Sequence, residues 1–372
     1  MKKRILILTV SIFIFVQMAD VWANEGGASE KLNLKLRLKS GQKYGMRIIK
    51  KNKISQEIMG QQQNINHTKV VEIGLEVKKI DANGVASITV TYLTLKEKTT
   101  SAFGEFGYDS TDPCTAVNNP FAPTYAAMMG ENVTMRVTPK GKIVEIKGID
   151  EMFSRMAEKI IVAEDELMSK APAGTCEIKK SEDAAAGKSP QEMSAEERAK
   201  KRIEKLNKRY GSRKGRKEAV KQMIKDNPLF SERQFKEMAG DVVMPFPGRV
   251  VGIGDSWEGK LILPATLPIE ETDGRYALKA NRNGVVVVDV SSKIDLVEET
   301  GPVKAGQGKQ SMKVAGDYRG TLEIDETSGW MIRKEAKVQV SGEIKMGAGK
   351  QMPGGGAVPI LMETVITVEP ME

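Results

Sequence analysis

One stretch of this 372-residue chain has the outline of a phosphate-binding loop. Gly254-Asp-Ser-Trp-Glu-Gly259-Lys260 matches the G-x4-G-K half of that motif. The match stops there. Leu261 stands where a hydroxyl would have to reach magnesium, and the following LILPATLP, interrupted by Pro264 and Pro268, cannot supply the helix that carries the phosphate. Ser256 fails as a nucleophile, because G-D-S-W-E-G is one residue too long for G-x-S-x-G. A triad would also have to recruit His67, the single histidine, which lies in a polar stretch near a turn and reads more simply as a solvated side chain. Asp109 and Asp112 of YDSTDP could offer calcium two carboxylates, but an Asx-type turn before Pro113 accounts for them with less. Carboxylates for glycoside chemistry are plentiful, yet aromatic residues are only 5% of the chain, sparse for a sugar-stacking cleft. No catalytic residue, cofactor site or metal set emerges, and the expectation is a protein that is not an enzyme.

The chain's start bears on compartment. Lys2, Lys3 and Arg4 precede an uncharged, largely apolar run from Ile5 to Val16, and Val21-Trp22-Ala23 supplies the small residues of a cleavage site. A run of about twelve residues is too short for the roughly 20 needed to span a bilayer, so the segment reads as a secretory signal and the protein as exported, periplasmic or extracellular. No later stretch is apolar enough to cross a membrane after cleavage.

Export colours three other features. Cys114 and Cys176 are the only cysteines. In an oxidising compartment they are expected to pair, closing a loop of about 60 residues and stabilising by about 4 kcal/mol on loop-entropy grounds. Residues 196–221 hold twelve Lys/Arg against four Glu, a surplus equal to the formal net charge of +8, so the basic character belongs to one segment. Its Lys200, Lys201, Arg202, Lys205, Lys208, Arg209, Arg213, Lys214, Arg216 and Lys217 have the density for phosphate contacts, but export argues against nucleic acid. An anionic envelope surface fits better, since each clustered cation gains about 1 kcal/mol there. A hairpin of solvated helices is the plainer account. Finally, among 20 methionines, Met128, Met129, Met152 and Met156, with Phe153 and Ile160, fall where helices should meet sheet. Flexible thioethers suit an irregular apolar cavity for a lipid or hydrophobic peptide; ordinary core filling explains them as well.

The elements that must position these groups follow from periodicity. KLNLKLRL (31–38) alternates with period two and predicts a strand with one dry face. Strands are also predicted over 44–58, 68–80, 85–95, 132–138 and 142–146, with a polar turn at Gly60–Asn64. A short helix is expected from an Asn119 cap to Gly130, and an amphipathic one over 150–169. Residues 171–195 read as a linker. Basic helices follow, with capping-box patterns at Ser194/Glu197 and Ser231/Gln234. Beyond Pro245 strands return over 257–263, 276–280, 285–296, 317–324, 330–344 and 360–369, with a loop at Met346–Gly356. Gly254-x-x-Trp257 echoes Gly41-x-x-Tyr44, and each half then runs through an Asn-Gly hairpin, suggesting a structural duplication. The organisation is therefore read as a signal peptide (1–23), an N-terminal antiparallel β module (24–148), a helical segment with the basic hairpin (149–245) and a C-terminal antiparallel β module (246–372).

Several stretches resemble an uncharacterised family of exported bacterial proteins, the domain of unknown function six-two-six-three: GQKYGMRIIKKNKISQEIMGQQQNIN (41–66), YDSTDP and NPFAPTY (108–125), VTPKGKIVEIKGIDEM (137–152) and PFPGRVVGIGDSWE (245–258). The resemblance implies export and a β-rich fold, and brings no activity or catalytic residue. The basic hairpin and the cysteines depart from its common pattern. The expected fold is mainly β (α+β): curved antiparallel sheet from two similar strand modules, in one sheet or two, with the middle helices covering one face. The expected function is an exported binding or carrier protein for an apolar ligand. Its rival is a cell-envelope adaptor that grips an anionic surface through the basic hairpin.

Overall fold

Period-two alternation becomes twelve antiparallel strands in the computed structural model, which describes residues 31–58, 61–102, 104–112, 115, 119, 121–169, 208, 211–227, 230–267, 269–300, 310–346 and 356–371. The strands are β1 (Lys43–Ile58), β2 (Gln61–Ile80), β3 (Ala86–Ser101), β4 (Gly104–Asp109), β5 (Asn132–Val137), β6 (Ile143–Lys147), β7 (Ser256–Ile262), β8 (Glu271–Arg282), β9 (Val285–Thr300), β10 (Gln310–Asp325), β11 (Met331–Met346) and β12 (Gly356–Pro370). The described helices are α1 (Ala122–Met128), α2 (Ile149–Ser169), α3 (Arg213–Lys225) and α4 (Glu232–Val242).

The strands lie in the order β6-β5-β3-β2-β1-β12-β11-β10-β9-β8-β7, with β4 beside β3, as one curved, unclosed sheet. The expected fold class holds, and the choice between one sheet and two is decided by β1 pairing β12 from Met46↔Pro370 to Gln56↔Ile360. Each half is a meander in chain order. Gly41 and Gly254 both adopt positive φ immediately before the first strand of their meander, a conformation that glycine reaches without a Cβ clash. The β8–β9 hairpin turns through Asn283 and Gly284, both left-handed, as an Asn-Gly turn of the I′ kind requires. Its counterpart between β2 and β3 is held differently, by Asp81 accepting from the Asn83 and Val85 amides at 3.0 Å.

One face of this sheet is apolar, and described helices pack on it. α2 buries Met152, Phe153, Met156, Ala157, Ile160 and Ile161, and α1 buries Tyr125 and Met128. α4 approaches β7 so closely that a Cβ on Gly240 would come within 2.8 Å of Ile262. Trp257 at the start of β7 is buried as a core anchor. It stacks on Tyr276 at 5.9 Å, and its indole N–H donates to the Pro245 carbonyl at 3.0 Å.

Several expectations need correction. Residues 31–38 keep their alternating burial but form no sheet strand. A single bridge, Leu32↔Val251, and backbone bonds to Pro139 and Ser328 hold them, so the segment packs against loops rather than a ladder. Gln61–Asn64 are strand, because cross-strand pairing to β1 continues to the hairpin end despite their polarity. α1 starts after Phe121, and Asn119 instead accepts from the Phe121 amide. The Ser231 hydroxyl makes no cap bond to α4. β4 was not expected at all. The segments expected as signal peptide and linker, Cys114, Cys176, most of the expected first basic helix and residues 347–355 lie outside the described residues.

Candidate functional site

The chemistry of this molecule gathers where polar side chains interrupt the apolar face. On β1, Lys50 and Asn52 share the side of Met46 and Ile48; on β2, His67 and Lys69 share that of Val71 and Ile73; on β3, Glu97 shares that of Leu95. Register sets them in two rows: Lys50 opposite Lys69 opposite Glu97, and Asn52 opposite His67. Two lysines directly across an antiparallel pair repel, so something must compensate them.

α4 compensates one. Its Glu237 and Asp241 lie on the same buried side as Phe235 and Met238. Lys50 Nζ pairs with Asp241 at 2.5 Å and with Glu237, while Lys334 from β11 reaches the other Asp241 oxygen at 2.8 Å. Glu237 also accepts the Ala265 amide at 2.9 Å. Burial alone would lower the ammonium of Lys334, but the Asp241 carboxylate overrides it and holds the group above the ordinary lysine range. Burial likewise would raise Asp241, and the two lysines hold it below the ordinary carboxylate range instead.

Lys69 is different. It has no hydrogen bond or ion pair among the described residues. Burial pushes its ammonium below the ordinary lysine range, Lys50 adds to the effect, and Glu97 offsets it only partly. Glu97 is engaged by His67, whose Nε2 lies 3.4 Å from it, and the Asn52 amide meets His67 Nδ1 at 3.2 Å. Burial would raise Glu97, but His67 and Lys69 hold it below its usual value, so it stays a carboxylate. The lone histidine is therefore held between two side chains at 24% exposure and is not the solvated group expected.

Beside Lys69 a pocket of about 60 Å³ opens between α1, α4 and strands β1–β3. Ile48, Val71, Tyr92, Met128, Phe230, Phe235 and Met238 form its apolar wall, and Lys50, Lys69, Gln234 and Asp241 its polar part. Tyr92 meets Phe235 edge-on at 6.4 Å. On the opposite, polar face a wider hollow of about 720 Å³ crosses β8–β12 over charged side chains such as Arg275, Arg319 and Lys337.

Of the six residues proposed to line a cavity, Met128 does so. Met129 is half-buried against the core, and Met152, Phe153, Met156 and Ile160 are buried beneath α2 with Phe153 against Phe235 at 6.2 Å. Of the ten proposed cations, Lys200, Lys201, Arg202, Lys205 and Arg209 lie outside the described residues. Lys208 and Lys214 are exposed. The others turn onto acids of α2: Arg213 and Lys217 to Glu158, and the buried Arg216 to Asp165, each at 3.0 Å. Lys221 and Lys225 pair with Asp150. Lys50, Lys69, Lys334, Glu237 and Asp241 escaped the sequence reading, although each lies in phase with its element's apolar residues.

The DUF6263 family, described as a family of unknown function, matches residues 83–184 and 198–331. The chain belongs to this family. No curated protein matches the sequence. Among solved structures, one described as lipid–protein interactions in lipovitellin aligns at 9% identity and TM-score 0.41, over 90% of this chain and 26% of that one. This chain thus spans about a quarter of the lipovitellin chain. An outer membrane channel from Pseudomonas putida F1 aligns at 8% identity and TM-score 0.20, over 90% and 97% of the two chains. Pseudomonas aeruginosa OccK2 (OpdF), in complex with glucuronate, aligns at 5% and 0.15, over 88% and 62%. At these scores the likenesses carry no argument. No described helix is long and apolar enough to cross a membrane.

Proposed function

We propose that this DUF6263 member is an exported, non-enzymatic binding protein that holds an apolar ligand between α4 and the sheet. The observation that carries the reading is the pocket walled by Ile48, Val71, Tyr92, Met128, Phe230, Phe235 and Met238, an apolar recess with few, placed polar groups of the sort that binds small molecules. Its size narrows the reading. At about 60 Å³ it is well under the roughly 150 Å³ that accommodates benzene, so it takes a short or branched apolar group, or the tip of a longer one, and not a whole acyl chain. Export rests on the N-terminal basic and apolar run.

Filling the pocket tests the reading. A Met128→Trp variant that keeps the wild-type circular dichroism spectrum is expected to lose the small organic molecules that co-purify with the wild type in native mass spectrometry. A wild-type protein that carries none, and that binds no short aliphatic probe by ligand-observed NMR, would sink the proposal.

A further inference from the structure

We infer that the ligand of this pocket is a monoanion, a carboxylate on a short aliphatic body, whose charge pairs with Lys69. The inference rests on the binding reading above and goes beyond it to the ligand's chemical class.

Three lysines reach the helix-covered face around α4, and two of them are held in ion pairs. Asp241 uses one oxygen on Lys50 and the other on Lys334, and Glu237 is taken by Lys50 and the Ala265 amide. Glu97, directly across from Lys69 in register, meets His67 and offsets the burial of Lys69 only in part. Lys69 is left in the wall of an apolar recess with no hydrogen bond or ion pair among the described residues. An ammonium withdrawn from water without an ion pair is costly, and burial, with Lys50 nearby, works against its charged form. A ligand that brings the missing negative charge relieves it, and pairing in so desolvated a place is stronger than at the surface.

The rest of the recess selects the kind of anion. The Gln234 side chain lines the same pocket, with no side-chain hydrogen bond among the described residues, and its amide offers a second donor beside the ammonium. One cation and one neutral donor suit the two oxygens of a carboxylate. A phosphate dianion would ask for more positive charge than one ammonium and one amide supply. The apolar wall then takes the aliphatic body.

Isobutyrate and its neutral counterpart isobutyramide, titrated into the full chain by ligand-observed NMR, separate the two levels of the argument. Isobutyrate is expected to bind at least tenfold more tightly than isobutyramide. In Lys69→Met that preference should vanish while isobutyramide binding persists; in Lys69→Arg, which keeps the charge, a preference for isobutyrate should remain. Equal binding of both probes to the wild type, or a preference that survives Lys69→Met, overturns the inference and leaves the apolar-ligand reading standing. Binding of neither probe overturns both.

Discussion

Lys334 and Lys69 occupy equivalent surroundings, inward-facing on long strands under the same helix, and differ in one respect. Lys334 meets Asp241 at 2.8 Å, and both side chains are only 4% exposed; Lys69 makes no ion pair among the described residues and feels Glu97 only at longer range. The first region is therefore structural. Its charges exist because they answer one another, and with Lys50 they fix how α4 sits on the seam. The second holds a charge that the described residues answer only in part. A buried charge by itself says nothing about function; an unmatched one facing a recess does.

That contrast can be broken at its strongest point. Asp241→Ala strands Lys50 and Lys334 without their shared anion and should cost about 3–5 kcal/mol in denaturant unfolding, the loss expected when one partner of a buried pair is removed. Trp257→Ala is a control of similar size, about 3–5 kcal/mol from lost packing and a lost indole bond, but it should leave the pH dependence of stability unchanged. Asp241→Ala should not. The depressed folded value of Asp241 means that its stabilisation is complete above the unfolded carboxylate value, near 3.9, and is lost as pH falls through the folded one. The variant should accordingly flatten the acid limb.

The alkaline limb sharpens the comparison further, because the two lysines act on it with opposite sign. Lys334, raised, stabilises fully below the unfolded lysine value of about 10.4 and loses that contribution as pH climbs through its folded value. Lys69, lowered, makes the unfolded chain the better proton binder between its folded value and about 10.4, so its effect on stability improves with rising pH. Lys69→Met should thus be more stable than wild type by about 1 kcal/mol near neutrality, with the advantage shrinking toward pH 10. Stability curves in urea at stepped pH check both. The smallest effect belongs to the pairs that the exposed Asp150 makes between α2 and α3: Asp150→Asn removes the partner of Lys221 and Lys225 and should leave the unfolding midpoint within error, because water already screens the carboxylate.

Much of the architecture was legible because its causes are local. β-Branched runs beside turn residues mark β3 and β9, Asn283-Gly284 marks the β8–β9 hairpin, and Met152, Phe153, Met156 and Ile160 mark the buried stripe of α2. What could not be read locally was the partner. Leu32 to Leu38 alternate as a strand would, but no strand edge meets them. The site shares this property. Lys50 in RIIKKNK looks like one of several solvated lysines until the phase is counted from Met46 and Ile48, and even then its answer lies on α4, far along the chain. Met128 was found by its place between helix and sheet. Lys69 was missed because an unmatched charge is defined by what fails to approach it.

The ladder between β1 and β12 has a consequence for how the protein is made. The two strands at the centre of the sheet are the first and last strands among the described residues, so the seam cannot close until nearly everything between them has been synthesised. Until then β1 presents an open edge, with its apolar residues on one side and its hydrogen-bonding groups unpaired along the other strand's place, the kind of edge that recruits a wrong neighbour. Pairings so distant in sequence form slowly. Nascent chains of this family should therefore depend on whatever guards that edge, and a chain cut before Gly356 should aggregate through β1 while its two halves are otherwise folded.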